Sequence, residues 1–369
     1  MSALAPKTIL MTGLSGLIGR WTAARLTKDG HRIVAPLRQA ESRRPGLIDW
    51  INAHGGDGSL IDWIDVDLAA PDFIKTLEGA TDLAALTHIY SFAAAMEWHL
   101  DPKVARQINV EAVRALLARA AGLPAFERFV HISGYLVTSK RHQAHIGFEP
   151  AKLAQEKKEP TRALARLYKR IGAYEASKIE ADYLVRRAAV EGLPVTILNP
   201  STVIGSTTDG EAHQVYGLEG ILDGLATGTF AAIPGNTQDW IPLVAIDHLA
   251  DFAAKVPLSD QDPLTDYVLL SQGTPTLPDM VAIIAGEMGV KAPRRRVPLW
   301  ALKALLNAGL EDRLGVPLEG LVFINDYRYD TTSAEAAATR HGLVHGDIVA
   351  TLRKTVRYWY AVRQNEQAA

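Results

Sequence analysis

A tyrosine and a lysine four residues apart are the pair in this sequence best suited to acid–base chemistry. Tyr174 and Lys178 begin a segment with apolar residues at helical spacing, and side chains at positions i and i+4 share one helix face. A phenol with an ordinary pKa of about 10 is a poor acid or base near neutral pH. A neighbouring ammonium stabilises the phenolate, so the pair predicts a tyrosine acid/base that the lysine activates. The same spacing also arises by chance on surface helices, so the pair alone does not define a site.

A glycine-rich turn near the N-terminus predicts a site for the phosphates of a dinucleotide. The strand-like residues 8–11 lead into the pattern T-G-x-x-G-x-x-G, and a helical pattern follows from Trp21. The first glycine permits a tight turn, the second lets the backbone approach a pyrophosphate, and the third lets the helix pack on the strand. The N-terminus of the helix then faces the phosphates. The residues predicted to contact the cofactor here are Thr12, Gly13, Ser15, Gly16, Leu17, Ile18 and Gly19.

The residues after the second predicted strand favour NADP over NAD. An acidic residue at this point would bind the ribose hydroxyls of NAD, but Arg38 stands at about that position. Arg43 and Arg44 follow in a predicted loop, and a guanidinium suits a ribose 2′-phosphate. NADPH is therefore the predicted cofactor, with NAD as the alternative. Asp67 and Leu68, after the third strand, are predicted to contact the adenine, although Asp67 could equally cap the helix that follows.

The order of elements predicts an α/β fold, a Rossmann-type doubly wound parallel sheet with a smaller, mostly helical C-terminal region. Short β-branched runs alternate with longer helical patterns, which is typical of a parallel sheet covered on both faces. We predict an NAD(P)-binding domain over residues 1–200 plus 243–271, and a substrate-binding region over 201–242 and 272–369. The predicted strands are residues 7–11, 32–37, 61–66, 87–92, 128–132, 195–198 and 267–270.

Composition excludes several classes of protein. Lys and Arg number 39 against 41 Asp and Glu, so no strong positive charge points to nucleic acid. The absence of cysteine excludes thiolate nucleophiles, disulfides and zinc–thiolate sites. His142 and His145 are interpreted as polar loop residues, so no metal is predicted. No segment reads as a signal peptide or as the roughly twenty apolar residues that span a bilayer, so we expect a cytoplasmic protein without stable membrane insertion.

The sequence resembles the extended short-chain dehydrogenase/reductase family, whose members include NAD-dependent epimerases and dehydratases. The glycine turn comes first, then a strand ending in Ser133, then the Tyr174–Lys178 pair, then Asn199-Pro200. The resemblance covers most of the chain. It implies that Tyr174 is the general acid/base, that Lys178 tunes it and holds the nicotinamide ribose, that Ser133 polarises the substrate oxygen, and that Asn109 supports a proton relay or the helix geometry. It further implies cofactor contacts at Tyr174 and Lys178 themselves and at Ala93, Ala94, Pro200, Ser201 and Val203, and a homodimer.

Three features depart from the pattern of that family. Gly134 stands where a second hydroxyl residue often follows Ser133, so either Ser133 or no hydroxyl fills the third catalytic position. The segment between Ser133 and Tyr174 is longer than usual and includes a charged helical stretch, residues 151–170, that could cover the site or bind a partner. Asn199 stands where the family commonly has arginine, a residue that is more often structural.

Later motifs are similar to those of the thioester-reductase and fatty-acyl-reductase branch. They lie at residues 193–201, 240–250 and 327–331. The segment 297–306 is apolar around most of a helix, and could line a substrate tunnel or touch a membrane surface, although such a helix most often packs in a core. We therefore predict an NADPH-dependent oxidoreductase that reduces an aldehyde, ketone or acyl thioester of an apolar substrate, either free or carrier-bound, or oxidises the alcohol. A nucleotide-sugar epimerase or dehydratase and a non-catalytic NADP-sensing regulator are the alternatives.

Overall fold

The computed structural model of the chain describes residues 5–97, 99–311 and 318–368. These residues divide into two compact units. The first contains residues 1–199, 250–268 and 332–342, and the second contains 200–249, 269–331 and 343–369. Residues 332–342, which the sequence grouped with the C-terminal region, thus belong to the unit that holds the glycine turn. The assignment of the first unit to the cofactor and of the second to the substrate stays a prediction.

A seven-stranded parallel sheet organises the first unit, which confirms the predicted Rossmann-type fold. Its strand order is β10-β6-β5-β4-β1-β2-β3. Successive strands are added on one side of β1 up to β3 and on its other side from β4 onward, so the strand order reverses between β1 and β4. Ligands of such sheets bind at the carboxyl ends of the strands beside this reversal. The strands are β1 (Thr8–Thr12), β2 (Arg32–Leu37), β3 (Ile61–Asp65), β4 (His88–Ser91), β5 (Arg128–Ile132), β6 (Val195–Pro200) and β10 (Leu264–Leu269).

Helices cover the sheet because the central strands are apolar on both faces. Every residue of β4 and β5 is buried, which is the pattern of a parallel sheet without a solvated face. The core of this unit includes Leu10, Ile89, Phe129 and Ile197. Its helices are α1 (Leu17–Lys28), α2 (Ala40–Ala53), α3 (Phe73–Ala80), α4 (Pro102–Arg106), α5 (Ala112–Ala120), α6 (Lys140–Ile146), α7 (Pro150–Leu153), α8 (Thr161–Arg170), α9 (Ala173–Val190) and α14 (Thr332–Arg340), with a π-helical turn at Gln107–Glu111 between α4 and α5.

The second unit has its own apolar core, which includes Leu222, Leu243, Met280 and Leu352. Two-stranded sheets pair β7 with β9 and β8 with β11. The elements are β7 (Thr202–Ile204), α10 (Glu219–Thr227), β8 (Ile233–Pro234), β9 (Leu243–Ala245), α11 (Ile246–Lys255, which ends in the first unit), α12 (Leu277–Met288), β11 (Arg296–Val297), α13 (Leu299–Leu305) and α15 (Ile348–Ala368).

Three local predictions were wrong. Arg43 and Arg44 lie in the first turns of α2 rather than in a loop, and His142 and His145 lie in α6. The charged stretch 151–170 is not one helix, because α7 and α8 are separated by residues 154–160. Pro160 stands directly before α8, a position that proline occupies because it lacks the N–H that a helix interior needs.

Candidate active site

The glycine-rich turn between β1 and α1 is closed by backbone atoms. Gly13 has φ +73° and lies against the loop that follows β4, since a Cβ there would be 2.5 Å from the Ala93 nitrogen. A Cβ on Gly19 would lie 2.2 Å from the Gly13 oxygen, so the helix passes too close to the turn for any side chain. Gly16 is exposed, and its N–H donates to the Gly13 oxygen at 3.0 Å. Two of the three glycines are thus required by contacts and one leaves the backbone open.

The N-terminus of α1 is available to an anion. Gly16 is its N-cap, no side chain caps the first turn, and that turn contains no acidic residue. The half-buried residues Ser15, Leu17 and Ile18 therefore surround backbone N–H groups that the helix itself cannot satisfy. This arrangement fits the pyrophosphate of a dinucleotide, because the unpaired amides and the helix dipole both favour negative charge.

Two residues predicted to contact the adenosine half lie next to each other after β2 and β3. Arg38 is 65 % exposed, and its Nη1 lies 3.9 Å from Oδ2 of Asp67. Asp67 does not cap α3, because that helix begins at Phe73 and the Asp67 carboxylate accepts from the Ala69 N–H at 2.9 Å. Leu68 packs against the core. The exposed guanidinium of Arg38 is the group here that could take a 2′-phosphate.

Asn109 ties the loop after β4 to the catalytic helix. Its Oδ1 accepts from the Ala95 N–H at 2.7 Å, and its Nδ2 donates to the Ala95 oxygen at 3.1 Å and to Ser177 Oγ at 2.9 Å. Ser177 Oγ in turn donates to the backbone carbonyl oxygen of Tyr174 at 2.8 Å. Asn109 lies in the π-helical turn and is buried, so its amide positions α9 and the loop that contains Ala93 and Ala94. Thr12 extends this loop support, because its Oγ1 accepts from the Ala93 N–H at 3.3 Å.

Lys178 is buried at the end of β5. Its Nζ donates to the backbone carbonyl oxygen of Ile132 at 2.5 Å, so the ammonium is held by the residue that precedes Ser133. Burial lowers the pKa of Lys178 to about 8, against the opposing effect of the Asp182 carboxylate. A lysine with this pKa is more readily neutralised than an exposed one, since the desolvated ammonium is penalised. Tyr174, one turn earlier on α9, is half-buried.

Ser133 and Gly134 differ in what their positions offer. Ser133 is 5 % exposed, and its Oγ has no hydrogen-bond partner among the described residues, although its N–H donates to the Leu198 oxygen at 2.8 Å. A buried hydroxyl without a partner is costly, so this group is a candidate to bind a substrate oxygen. A Cβ on Gly134 would meet nothing within 4 Å, so the space for a second hydroxyl exists while the hydroxyl does not.

The sequence did not predict a chain of buried charges behind Lys178. Asp182, wholly buried one turn after Lys178, accepts from Arg186 Nε at 2.6 Å, and Arg186 Nη2 lies 2.7 Å from Asp266 Oδ2. Asp266 also accepts from Asn199 Nδ2 at 2.5 Å. The i+4 spacing of Asp182 and Arg186 was visible, but their link to Asp266 depends on β6 and β10 being neighbours in the sheet. Asn199, at the position where arginine is common, is thus part of an ion-pair network.

His142 makes a second contact that the sequence did not predict. It is buried, and its Nε2 lies 2.5 Å from Oε1 of Glu175, the residue after Tyr174. The interpretation as a polar loop residue was therefore wrong, because α6 packs against the start of the catalytic helix. His142 and Glu175 are far apart in sequence, so neither the spacing nor the composition around either residue signals the pair. Among the described residues, no group of three His, Asp or Glu side chains could hold a metal ion.

Pro200, Ser201 and Val203 lie in the second unit. Ser201 is buried, and its N–H donates to the Leu269 oxygen at 3.0 Å. Its Oγ has no partner among the described residues, while Val203 is half-buried in β7. The other predicted residues belong to the first unit, where they follow the carboxyl ends of β1, β2, β3, β4 and β5 or lie in the π-helical turn before α5 or on α9. The open helix N-terminus and the glycines that exclude side chains fit a bound dinucleotide.

Residues 11–253, more than half of the chain, match the male sterility protein family of NAD-binding domains. The chain belongs to this family, and it is an NAD(P)-dependent oxidoreductase of the extended short-chain dehydrogenase/reductase kind. The resemblance drawn from the order of its motifs is therefore confirmed. No described helix has the length and apolar character that crossing a bilayer requires.

Relatives of the chain carry the names of reductases. It is 26% identical over 364 residues to a putative dihydroflavonol 4-reductase of Synechocystis, covering 95% of this chain and 93% of that protein. It is 28% identical over 207 residues to human fatty acyl-CoA reductase 2, covering 50% of this chain and 39% of that protein. In fold it is similar to a thiolation-reductase di-domain of an archaeal non-ribosomal peptide synthetase, with a TM-score of 0.70 at 18% identity, covering 98% and 76% of the two chains. The chain is thus a reductase of the extended kind.

Proposed function

We propose that this protein is an NADPH-dependent reductase of a carbonyl group in an apolar substrate, with an acyl thioester as the favoured substrate class. The observation that carries the proposal is the arrangement at the end of β5. Lys178 donates to the Ile132 oxygen, the adjacent Ser133 hydroxyl is buried without a partner among the described residues, and Tyr174 lies one turn before Lys178. These three groups could hold a carbonyl oxygen and protonate it.

Each residue has a distinct role in the proposed reaction. The hydride that adds to the carbonyl carbon is the contribution of the bound nicotinamide. The Ser133 hydroxyl donates to the carbonyl oxygen, and Tyr174 gives that oxygen its phenolic proton as the carbon becomes tetrahedral. The Lys178 ammonium stabilises the phenolate left on Tyr174 until solvent returns a proton. From a thioester, the resulting hemithioacetal releases a thiol and leaves an aldehyde, so one hydride and one proton are consumed.

The substrate class is supported by both the motifs and the relatives. Human fatty acyl-CoA reductase 2, as its name states, acts on an acyl thioester, and the likeness to the thiolation-reductase di-domain extends over nearly the whole of this chain. The chain itself contains no cysteine that could accept an acyl group, so direct hydride addition to a bound thioester is the simplest course. The thiol carrier would be coenzyme A or a separate carrier protein.

Arg38 supports NADPH over NADH. Its guanidinium is exposed at the end of β2, the position where a 2′-phosphate lies in folds of this type. Asp67 holds it from one side at 3.9 Å, which leaves most of its five donors unengaged by that carboxylate. Arg38→Ala should therefore weaken the binding of NADPH much more than that of NADH.

The test is NADPH oxidation by the purified protein with dodecanoyl-CoA and with dodecanal, together with a separate incubation of the protein with UDP-galactose and oxidised NAD or NADP. The proposal predicts oxidation with dodecanoyl-CoA and release of free thiol, which Ellman's reagent detects. Tyr174→Phe should slow this reaction roughly 10²–10⁴-fold while NADPH still binds. Oxidation with dodecanal alone would keep the carbonyl reductase and reject the thioester.

Two other outcomes would reject the proposal itself. Conversion of UDP-galactose to UDP-glucose with the oxidised cofactor, and without net cofactor reduction, would indicate an epimerase, in which hydride transfer is transient. NADPH binding with no turnover of any substrate would indicate a regulator that senses the cofactor.

A further inference from the structure

A basic segment of the second unit is not used by the proposed reaction. Residues 291–303 contain Lys291, Arg294, Arg295, Arg296 and Lys303, and no Asp or Glu occurs between Glu287 and Glu311. The whole chain has a formal charge of −2, so this concentration of positive charge is local. We call residues 291–305 the basic segment.

The cations of the basic segment face solvent rather than carboxylates. All five side chains are exposed, and none forms an ion pair with a described residue. Elsewhere in this unit basic side chains are paired, since Arg353 and Arg357 both lie 2.6 Å from Glu287. The strand that pairs with β11 is β8, and it brings only Ile233 and Pro234, so no negative charge comes from that neighbour either.

Apolar side chains stand beside these cations. Helix α13 and the turn that follows it are anchored through Leu302 and Leu306, which pack with Leu321 in a small apolar cluster. On other faces of the helix, Trp300 is 76 % exposed and Leu305 is 44 % exposed. Most of the apolar surface of Trp300 is therefore in contact with water, and a partner that covered this surface would gain the free energy of burying it.

We propose that the basic segment docks the protein on the surface of an anionic phospholipid bilayer. Anionic headgroups complement the five cations, and an exposed indole favours the boundary between headgroups and acyl chains. The combination of cations with a few inserted apolar side chains is that of peripheral binding, and no described helix could span the bilayer. An acidic protein or a nucleic acid would also match the charge, and the test below distinguishes these partners from a lipid surface. This proposal does not depend on the proposed function.

The test is sedimentation of the full chain with vesicles of phosphatidylcholine alone and of phosphatidylcholine mixed with phosphatidylserine. We expect binding to the mixed vesicles only, and its loss as salt approaches about 1 M, where the screening length falls to about 3 Å. Replacing Arg294, Arg295 and Arg296 together by Gln should weaken partitioning about a hundredfold. Trp300→Ala should weaken it about tenfold.

A matched control separates the segment from net charge. Lys152, Lys157 and Lys158 are exposed in the first unit, and their triple Gln variant removes the same charge. It should bind vesicles nearly as the parent does. An unchanged midpoint of urea unfolding in each variant shows that the chain is folded, and the readout is sedimentation, so a failed activity assay leaves this test valid. The proposal is overturned if the parent protein does not sediment with anionic vesicles at low salt, or if the two triple variants bind these vesicles equally. It is also overturned if the parent protein binds oligonucleotides or polyglutamate but no vesicles.

Discussion

The glycine turn after β1 and the interior of helix α9 contribute to one candidate site in opposite ways. The turn is built from backbone, and its glycines matter because a Cβ would strike main-chain atoms of the same turn or of the adjacent β4 loop. Helix α9 instead contributes buried charged side chains. Lys178 donates to Ile132 of β5, and Arg186 pairs with Asp182 and with Asp266 of β10, which also accepts from Asn199 of β6. The turn is therefore sensitive to volume, whereas the helix is sensitive to charge.

This difference has a consequence for how each region can be altered. A backbone cradle tolerates changes of charge around it but no added methyl group. A buried ion-pair chain tolerates changes of shape poorly as well, but its largest cost arises when one charge is left without its partner. Substitutions that change only volume or only charge therefore separate the two regions.

Gly19→Ala should have the largest effect on cofactor binding among these variants, and it should destabilise the fold as well. The added Cβ would lie 2.2 Å from the Gly13 oxygen and 2.7 Å from the Leu14 Cα, and both are backbone atoms that cannot yield. We expect NADPH affinity to fall by at least about 100-fold and the free energy of unfolding to fall by about 3 kcal/mol. Calorimetric titration and urea unfolding measure the two. Gly46→Ala is the control, because a Cβ there meets nothing within 4 Å; equal losses in both variants would contradict the account.

Asp182→Asn tests the buried charges by a nearly isosteric change. It leaves Arg186 with Asp266 alone and removes the carboxylate that supports the ammonium of Lys178. We expect a loss of about 3–5 kcal/mol in the free energy of unfolding. The pKa of Lys178 should also fall further, which would move the pH dependence of kcat/KM. Glu191→Gln removes the exposed partner of Arg187 at the end of the same helix and should leave the free energy of unfolding nearly unchanged.

The pH dependence of stability tests Lys178 itself. Its folded pKa of about 8 lies below the unfolded value of 10.5, so between these pH values the unfolded chain binds more protons. The free energy of unfolding should therefore gain a contribution on the order of 3 kcal/mol as the pH rises through this window. Lys178→Met should lack this contribution. If unfolding curves of parent and variant change in parallel between pH 8 and 10.5, the assigned burial of the ammonium is wrong.

Ser133→Ala should have the smallest effect on stability among these variants. It removes one hydrogen bond to the carbonyl oxygen, so kcat should fall about 100-fold while NADPH affinity is unchanged. Gly134→Ser adds a hydroxyl in open space and should leave stability unaltered. An unchanged kcat in Ser133→Ala would show that this serine does not polarise the substrate; restored activity in the double variant Ser133→Ala, Gly134→Ser would show that the neighbouring position can do so.

The sequence was sufficient for the part of the site that is local in the chain. The bounds of β5 were predicted to the residue, and the glycine pattern located the turn because each glycine answers to contacts within one strand–turn–helix unit. Strand β6 continues to Pro200, two residues beyond the prediction, since strand ends depend on the neighbouring strand.

The remainder of the site depends on long-range packing. Asp266 and Asn199 meet only because β6 and β10 are adjacent, and His142 meets Glu175 only because α6 returns to α9. No periodicity in one segment reports which distant segment covers it. The role of Asn109 was predicted only as a proton relay or a support of the helix geometry, and its hydrogen bonds to Ala95 and Ser177 likewise join segments that are far apart in the sequence.

The most direct test of the account is a single-turnover measurement of NADPH oxidation by Tyr174→Phe, with NADPH binding measured in the same samples. The account predicts that the variant binds NADPH as the parent does and transfers hydride to dodecanoyl-CoA roughly 10²–10⁴-fold more slowly, since only the proton donor has been removed. An equal rate in the two proteins would contradict the claim that Tyr174 is the acid of the reaction.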